Sequence, residues 1–136
     1  MDINDMVLVS VDDHVVEPPN VFEGRLPAKY ADLAPKFVTR AKRILESNRA
    51  VLNEFLDSRE DLKAVRTESG TTSFPRLLKG RVENLCDLLT EKYDTAVVPG
   101  RFFESPQHFR IGMCAEPELF REGVKRLGAA LDELRG

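Results

Sequence analysis

No run of apolar residues in this chain approaches the ~20 that a membrane-spanning helix needs; the longest are a few residues. The first residues do not read as a basic stretch followed by an apolar core, so no secretory signal is expected. Cysteine is scarce. Cys86 and Cys114 are the only two, without a CxxC spacing, which predicts free thiols rather than a disulfide or a metal site. Histidine is equally sparse, at His14 and His108. Nor is there an excess of one charge: 20 Lys and Arg stand against 23 Asp and Glu, interleaved along the chain, for a net charge of −3. That balance gives no electrostatic footprint for nucleic acid or an anionic membrane. By elimination the expected location is cytoplasmic.

What is present suits a soluble globular protein, with 42% hydrophobic and 32% charged residues. A length of 136 residues supports one domain, or one domain with an appendage. Residues 7–11 (VLVSV) form a β-branched run with strand character, ended by Asp12-Asp13-His14. Glu17-Pro18-Pro19-Asn20 continues no regular element, and residues 26–33 suit a short helix closed by Pro35. Up to that point there is too little apolar surface for a core.

The pattern changes near Phe37. Ala41, Ile44, Leu45, Val51, Leu52, Phe55 and Leu56 recur at steps of three and four and predict an amphipathic helix, interrupted on its apolar face by Asn48. Strands are expected over residues 62–66 and 71–77, with Pro75 marking an edge or a strand end. Val82, Leu85, Cys86, Leu88 and Leu89 predict a second helix. Residues 95–98 and 109–113 read as further strands, the first stopped by Pro99-Gly100. Pro117 opens a last helix, whose buried face should be Phe120, Val124, Leu127, Leu131 and Leu134.

This order predicts an α+β fold: a small mixed or antiparallel sheet covered by helices on one face, preceded by an irregular N-terminal appendage. The boundary falls between residues 37 and 42, dividing the chain into residues 1–38 and 39–136. The expected core is Leu45, Leu52, Phe55, Phe74, Leu85, Leu89, Val97, Ile111, Phe120, Leu127 and Leu131.

The most specific stretch is Val97-Val98-Pro99-Gly100-Arg101-Phe102-Phe103, followed by His108-Phe109-Arg110-Ile111-Gly112. Pro99-Gly100 turns the chain off a strand, and Phe102 and Phe103 anchor the return. Arg110 then stands mid-strand, where alternation sends its side chain opposite to Phe109 and Ile111. An arginine on a rigid strand is suited to grip a carboxylate through two parallel hydrogen bonds. From Arg40 onward the chain resembles the small C-terminal domain of class I/II (fold-type I) pyridoxal-phosphate (PLP) aminotransferases. The likeness includes AVLNEFL at residues 50–56, Thr72-Ser73-Phe74-Pro75 and Arg126-Leu127-Gly128. It implies that Arg110 binds the α-carboxylate of an amino-acid substrate. The family's Schiff-base lysine and phosphate cup belong to a large domain that cannot be placed in this chain. No catalytic residue and no cofactor are therefore expected in this chain alone.

The first 38 residues carry a second likeness. Val9-Ser10-Val11-Asp12-Asp13-His14-Val15-Val16-Glu17-Pro18-Pro19, with Arg25-Leu26-Pro27-Ala28-Lys29-Tyr30, resembles the start of a metal-dependent amidohydrolase. By that resemblance Asp12 and His14 would be metal ligands at the end of the first barrel strand. Further ligands would have to come from strands not found here, so no divalent metal is expected.

Taken together, the expectation is a composite chain joined near residues 37–40, whose main part is an isolated aminotransferase small domain without catalysis of its own. The alternatives are a subunit completing a PLP enzyme in trans and a truncated amidohydrolase-type hydrolase or decarboxylase. The expected partners are a PLP-bearing large domain or a second copy of the chain, because the loop at residues 99–106 should present apolar area to solvent.

Overall fold

Apolar side chains at helical spacing fold into α1, Ala34–Asp57, which buries Leu52 and Leu56 and half-buries Leu45, Val51 and Phe55 against the core. The computed structural model describes Lys29 and residues 34–135. Contacts divide the chain into two units, Met1–Phe37 and Val38–Gly136, and the sheets and remaining helices belong to the second. Asn48, which breaks the apolar pattern of α1, is fully buried. Its Nδ2 donates to the carbonyls of Met113 (2.9 Å) and Ala115 (2.7 Å), so an apparent flaw in the stripe ties the helix to the strand end beyond it.

Five short strands follow among the described residues: β1 (Leu62–Lys63), β2 (Thr72–Ser73), β3 (Arg76–Leu77), β4 (Val98–Pro99) and β5 (Phe109–Gly112). All pairings are antiparallel. β5 is flanked by β2 and β4, while β3 pairs with β1. The strand expected over residues 71–77 is thus two strands with different partners. Pro75 lies between them: it is buried, and its carbonyl accepts from Phe109 N–H (3.1 Å), so the chain stays beside the start of β5, through the Arg76–His108 bridge, while β3 takes up β1 on its other edge. Pro99 lies inside β4 rather than beyond it, opposite Phe109 in register. A proline fits there because β4 has no described neighbour on its other side.

Between β3 and β4 lies α2 (Val82–Tyr93), which runs one turn past the expected apolar stretch. It ends on Asp94 in the left-handed conformation (φ 45°), whose N–H returns to the carbonyl of Leu89. The last helix, α3 (Pro117–Arg135), opens on Pro117 as predicted and buries Phe120, Val124, Leu127, Ala130 and Leu131. Leu134, expected on that face, is exposed in the last turn of the helix. Gly128 lets α3 approach α1, since a Cβ there would stand 3.3 Å from the Phe55 ring.

The core joins one face of the sheet to the helices. Phe109 and Ile111 from β5 pack into the cluster that holds Leu85 and Leu89 of α2 and Phe120, Leu127 and Leu131 of α3. Helices therefore cover one side of the central strand, as expected. Among the expected core residues the exception is Phe74, which is 37% exposed. Period-two alternation explains the correction: Pro75 and Leu77 face inward, so Phe74 must face out.

Buried charge holds the start of the first sheet. Arg59 grips Asp61 through Nε (2.8 Å) and Nη2 (2.5 Å), and reaches Asp132 of α3 through Nη1 (2.5 Å). The guanidinium lowers the Asp61 carboxyl below the usual carboxylate range, mainly by direct hydrogen bonding, against the opposing cost of burial. The same bond raises the pKa of Arg59, which stays charged.

Candidate functional site on the open face of the sheet

The loop that brings the chain from β4 back to β5 starts as a 3-10 turn over Gly100–Phe103. Gly100 N–H bonds to the His108 carbonyl (2.7 Å), and Ser105 N–H to the Gly100 carbonyl (2.9 Å). His108 N–H then reaches the Ser105 carbonyl (2.8 Å), which closes the loop on itself. The backbone passes so close to Gly100 that a Cβ would overlap the carbonyl oxygens of Ser105 and His108. This tight crossing sends Phe102 and Phe103 to the surface and fixes where β5 begins.

Along β5 burial alternates: Phe109 and Ile111 are buried, Arg110 is half-buried and Gly112 is exposed. Arg110 therefore projects from the face opposite the helices, as the period-two reading predicted. The register of β2 on β5 (Ser73 opposite Ile111), continued to the bridge between Arg76 and His108, sets Phe74 opposite Arg110. On the other side Val98 pairs with Arg110.

Around the arginine stands a set of rings. The Arg110 guanidinium lies over the Phe103 ring, 5.1 Å from its centroid. Phe103 meets Phe74 edge to face, with centroids 5.7 Å apart and planes at 88°. Phe74 in turn stacks on the His108 ring at 5.0 Å and 13°. The histidine Nδ1 is sealed from solvent and has no hydrogen-bond partner among the described residues. Stacking on Phe74 is thus one contact that orients this ring.

Sequence reasoning singled out Arg110 but missed its aromatic company. Phe74, expected in the core, stands here instead, and Phe102 and Phe103, expected to anchor the return loop, lie at the surface. The signal was present in the spacing: His108 and Arg110, two apart on one strand, must share a face. Asp12 and His14, proposed as metal ligands by resemblance, lie outside the described residues, as do the strand expected at residues 7–11 and, apart from Lys29, the helix expected at residues 26–33. Among the described residues no group of three His, Cys, Asp or Glu side chains could hold a metal ion. Among them, too, no helix is long and apolar enough to cross a membrane.

Cys86 and Cys114 are both free thiols. Cys86 is half-buried on α2, and burial pushes its pKa up, which keeps the sulfur protonated and unreactive. Cys114 is exposed just beyond β5. Neither adds chemistry to the open face, where the described residues place Arg110 among partly exposed rings. A guanidinium so placed suits an anion, and among the described residues of this face no nucleophile and base stand in mutual reach.

Comparison with known proteins agrees with this geometry. The family model for "Aminotransferase class I and II" matches residues 27–127. Among curated relatives, a probable aspartate/prephenate aminotransferase of Aquifex aeolicus is 29% identical over 136 residues, covering 94% of this chain and 34% of its own length. Capreomycidine synthase of Streptomyces vinaceus is 30% identical over 117 residues, covering 84% of this chain and 30% of its own. The chain thus spans about a third of the length of these relatives. In fold it matches a PLP-dependent aminotransferase from Streptococcus suis with a TM-score of 0.71 at 24% identity, over 77% of this chain and 28% of that one. It also matches LysN, an α-aminoadipate aminotransferase from Thermus thermophilus, with a TM-score of 0.64 at 25% identity, over 77% of this chain and 30% of that one. The chain belongs to the class I and II aminotransferase family.

Proposed function

We infer that this chain supplies the carboxylate-binding small domain of a PLP aminotransferase, with Arg110 as the residue that grips the substrate α-carboxylate. One observation carries the reading: Arg110 stands mid-strand on the open face of the sheet, braced by Phe103, within the part of the chain that matches the family. A planar guanidinium whose face rests on a ring offers its edge to a carboxylate through two parallel hydrogen bonds.

The described residues do not fit the cofactor itself. A lysine that forms a Schiff base must give up its proton, which a neighbouring cation or an apolar pocket promotes. Lys92 is instead paired with Glu133 (2.6 Å), which raises its pKa and keeps it charged. Lys29, Lys42, Lys63, Lys79 and Lys125 are exposed, with no apolar pocket of described residues around the amine. The lysine and the phosphate contacts of the family are therefore assigned to a large domain, whether on a separate polypeptide or in a longer form of this one. Alone, the chain binds carboxylate and does not transaminate. Its partner covers the open face around Phe102 and Phe103; with no large domain present, a second copy takes that place. A cytoplasmic setting goes with this reading, because free thiols such as Cys86 and Cys114 persist in a reducing compartment. The amidohydrolase-like start remains a likeness at Asp12 and His14 and contributes no activity.

The test is to add PLP and L-glutamate to the purified chain. The reading predicts no saturable absorbance band from a cofactor–lysine adduct and no 2-oxoglutarate, together with a saturable shift of one arginine Nε–H signal in the NMR spectrum. Formation of 2-oxoglutarate by the chain alone would refute the non-catalytic reading. Absence of the arginine shift would refute the carboxylate grip.

A further inference from the structure

We propose that Phe103, Phe74 and His108 act together as a positioning bracket that fixes the plane of the Arg110 guanidinium. The inference rests on the reading of Arg110 as a carboxylate grip and adds residues that this reading does not require. Three contacts in series support it. The guanidinium lies over Phe103 at 5.1 Å, Phe103 abuts Phe74 edge to face at 5.7 Å, and Phe74 stacks on His108 at 5.0 Å.

Each member reaches the open face for a different structural reason. Phe103 ends the 3-10 turn that Gly100 makes possible. Phe74 is turned outward by the buried Pro75. His108 is two residues before Arg110 and so shares its face. The bracket therefore joins the β4–β5 loop, the end of β2 and the start of β5, and it spans the strand that carries the arginine.

Its physical effect is on entropy and orientation. An arginine side chain has many rotamers, and binding a carboxylate in two-point fashion requires one of them. A ring under the guanidinium limits these before the ligand arrives, and the edge-to-face contact with Phe74 stops that ring from turning away. His108 closes the series. Its sealed Nδ1 makes no hydrogen bond among the described residues, so the ring serves as a flat surface rather than as a donor or acceptor on that side. None of the three touches the reacting atoms in this scheme; they act through Arg110.

The arginine Nε–H signal of Arg110 gives a direct readout in the full chain, and it is assigned by its disappearance in Arg110→Lys. In the wild type the ring current of Phe103 should displace this signal from the positions of the exposed arginines. Phe103→Leu should return it towards them and weaken propionate binding roughly two- to fivefold, while Phe103→Tyr, which keeps the ring, restores both. His108→Ala should move the signal part of the way, and His108→Phe should leave it in place. Unchanged thermal unfolding of Phe103→Leu, a substitution at a partly exposed site, separates positioning from folding. An Arg110 signal that does not move in Phe103→Leu would overturn the bracket. If the wild-type signal is displaced and depends on the ring, yet propionate has no effect, the bracket stands and the carboxylate grip fails.

Discussion

Gly100, Arg59 and Cys114 each tie one side chain, or the lack of one, to a measurable property. At Gly100 a methyl group would meet two backbone carbonyls, which cannot swing aside as a flexible side chain could. Gly100→Ala should therefore lower stability by about 3 kcal/mol and disturb the start of β5, seen as a lower urea midpoint and altered amide shifts at Phe109 and Arg110. The Arg59–Asp61 pair sets part of the acid limit of stability. Because the folded state lowers the Asp61 pKa, its contribution is full above the ordinary carboxylate range and is lost as pH falls through the depressed value. Asp61→Asn should cost about 3 kcal/mol at pH 7, and the gap between variant and wild type should close in strong acid; a gap that stays constant down to pH 2 would contradict the pairing. The thiols should label in two phases with an aromatic disulfide reagent. Cys114 should react first, and Cys114→Ser should abolish the fast phase, since burial keeps Cys86 protonated.

Elements were legible in proportion to their length. The periods of α1, α2 and α3 span several turns each, so the three helices and most of their buried faces follow from spacing alone. Strands of two residues carry no period. The arrival of β1 as a second neighbour after Pro75, and the outward turn of Phe74, depend on which strands lie beside this one, and that is a tertiary fact. Asn48 shows the same limit from the other side. The break in the apolar stripe could be seen, but its partners, the Met113 and Ala115 carbonyls, lie more than sixty positions away. Asn48→Ala should cost about 2 kcal/mol by leaving both carbonyls without a donor. Asn48→Asp should cost more at neutral pH, since an ionised carboxylate only accepts and would face two oxygens. Urea unfolding of the two variants provides the ranking. Arg110 was legible because its neighbours alternate cleanly with it, whereas its bracket was assembled from three separate segments.

At the scale of the whole molecule, the helices close one face of the sheet, while on the opposite face the described residues leave several rings partly exposed. Phe102 is 66% exposed on the β4–β5 loop, and Phe103 and Phe74 are partly exposed. Apolar surface of this kind favours association, so wild-type protein should show a concentration-dependent rise in sedimentation coefficient that Phe102→Ser reduces. What that face is for turns on Arg110. The most direct measurement is a pair of NMR titrations following the Arg110 Nε–H signal, one with propionate and one with propionamide. The two ligands have nearly the same size and differ in the carboxylate, and Arg110→Gln serves as the control. A carboxylate grip predicts a saturable shift with propionate, little with propionamide, and the loss of any saturable propionate response in Arg110→Gln. Equal responses to the two ligands, or a saturable propionate response at other sites that persists in Arg110→Gln, would contradict it.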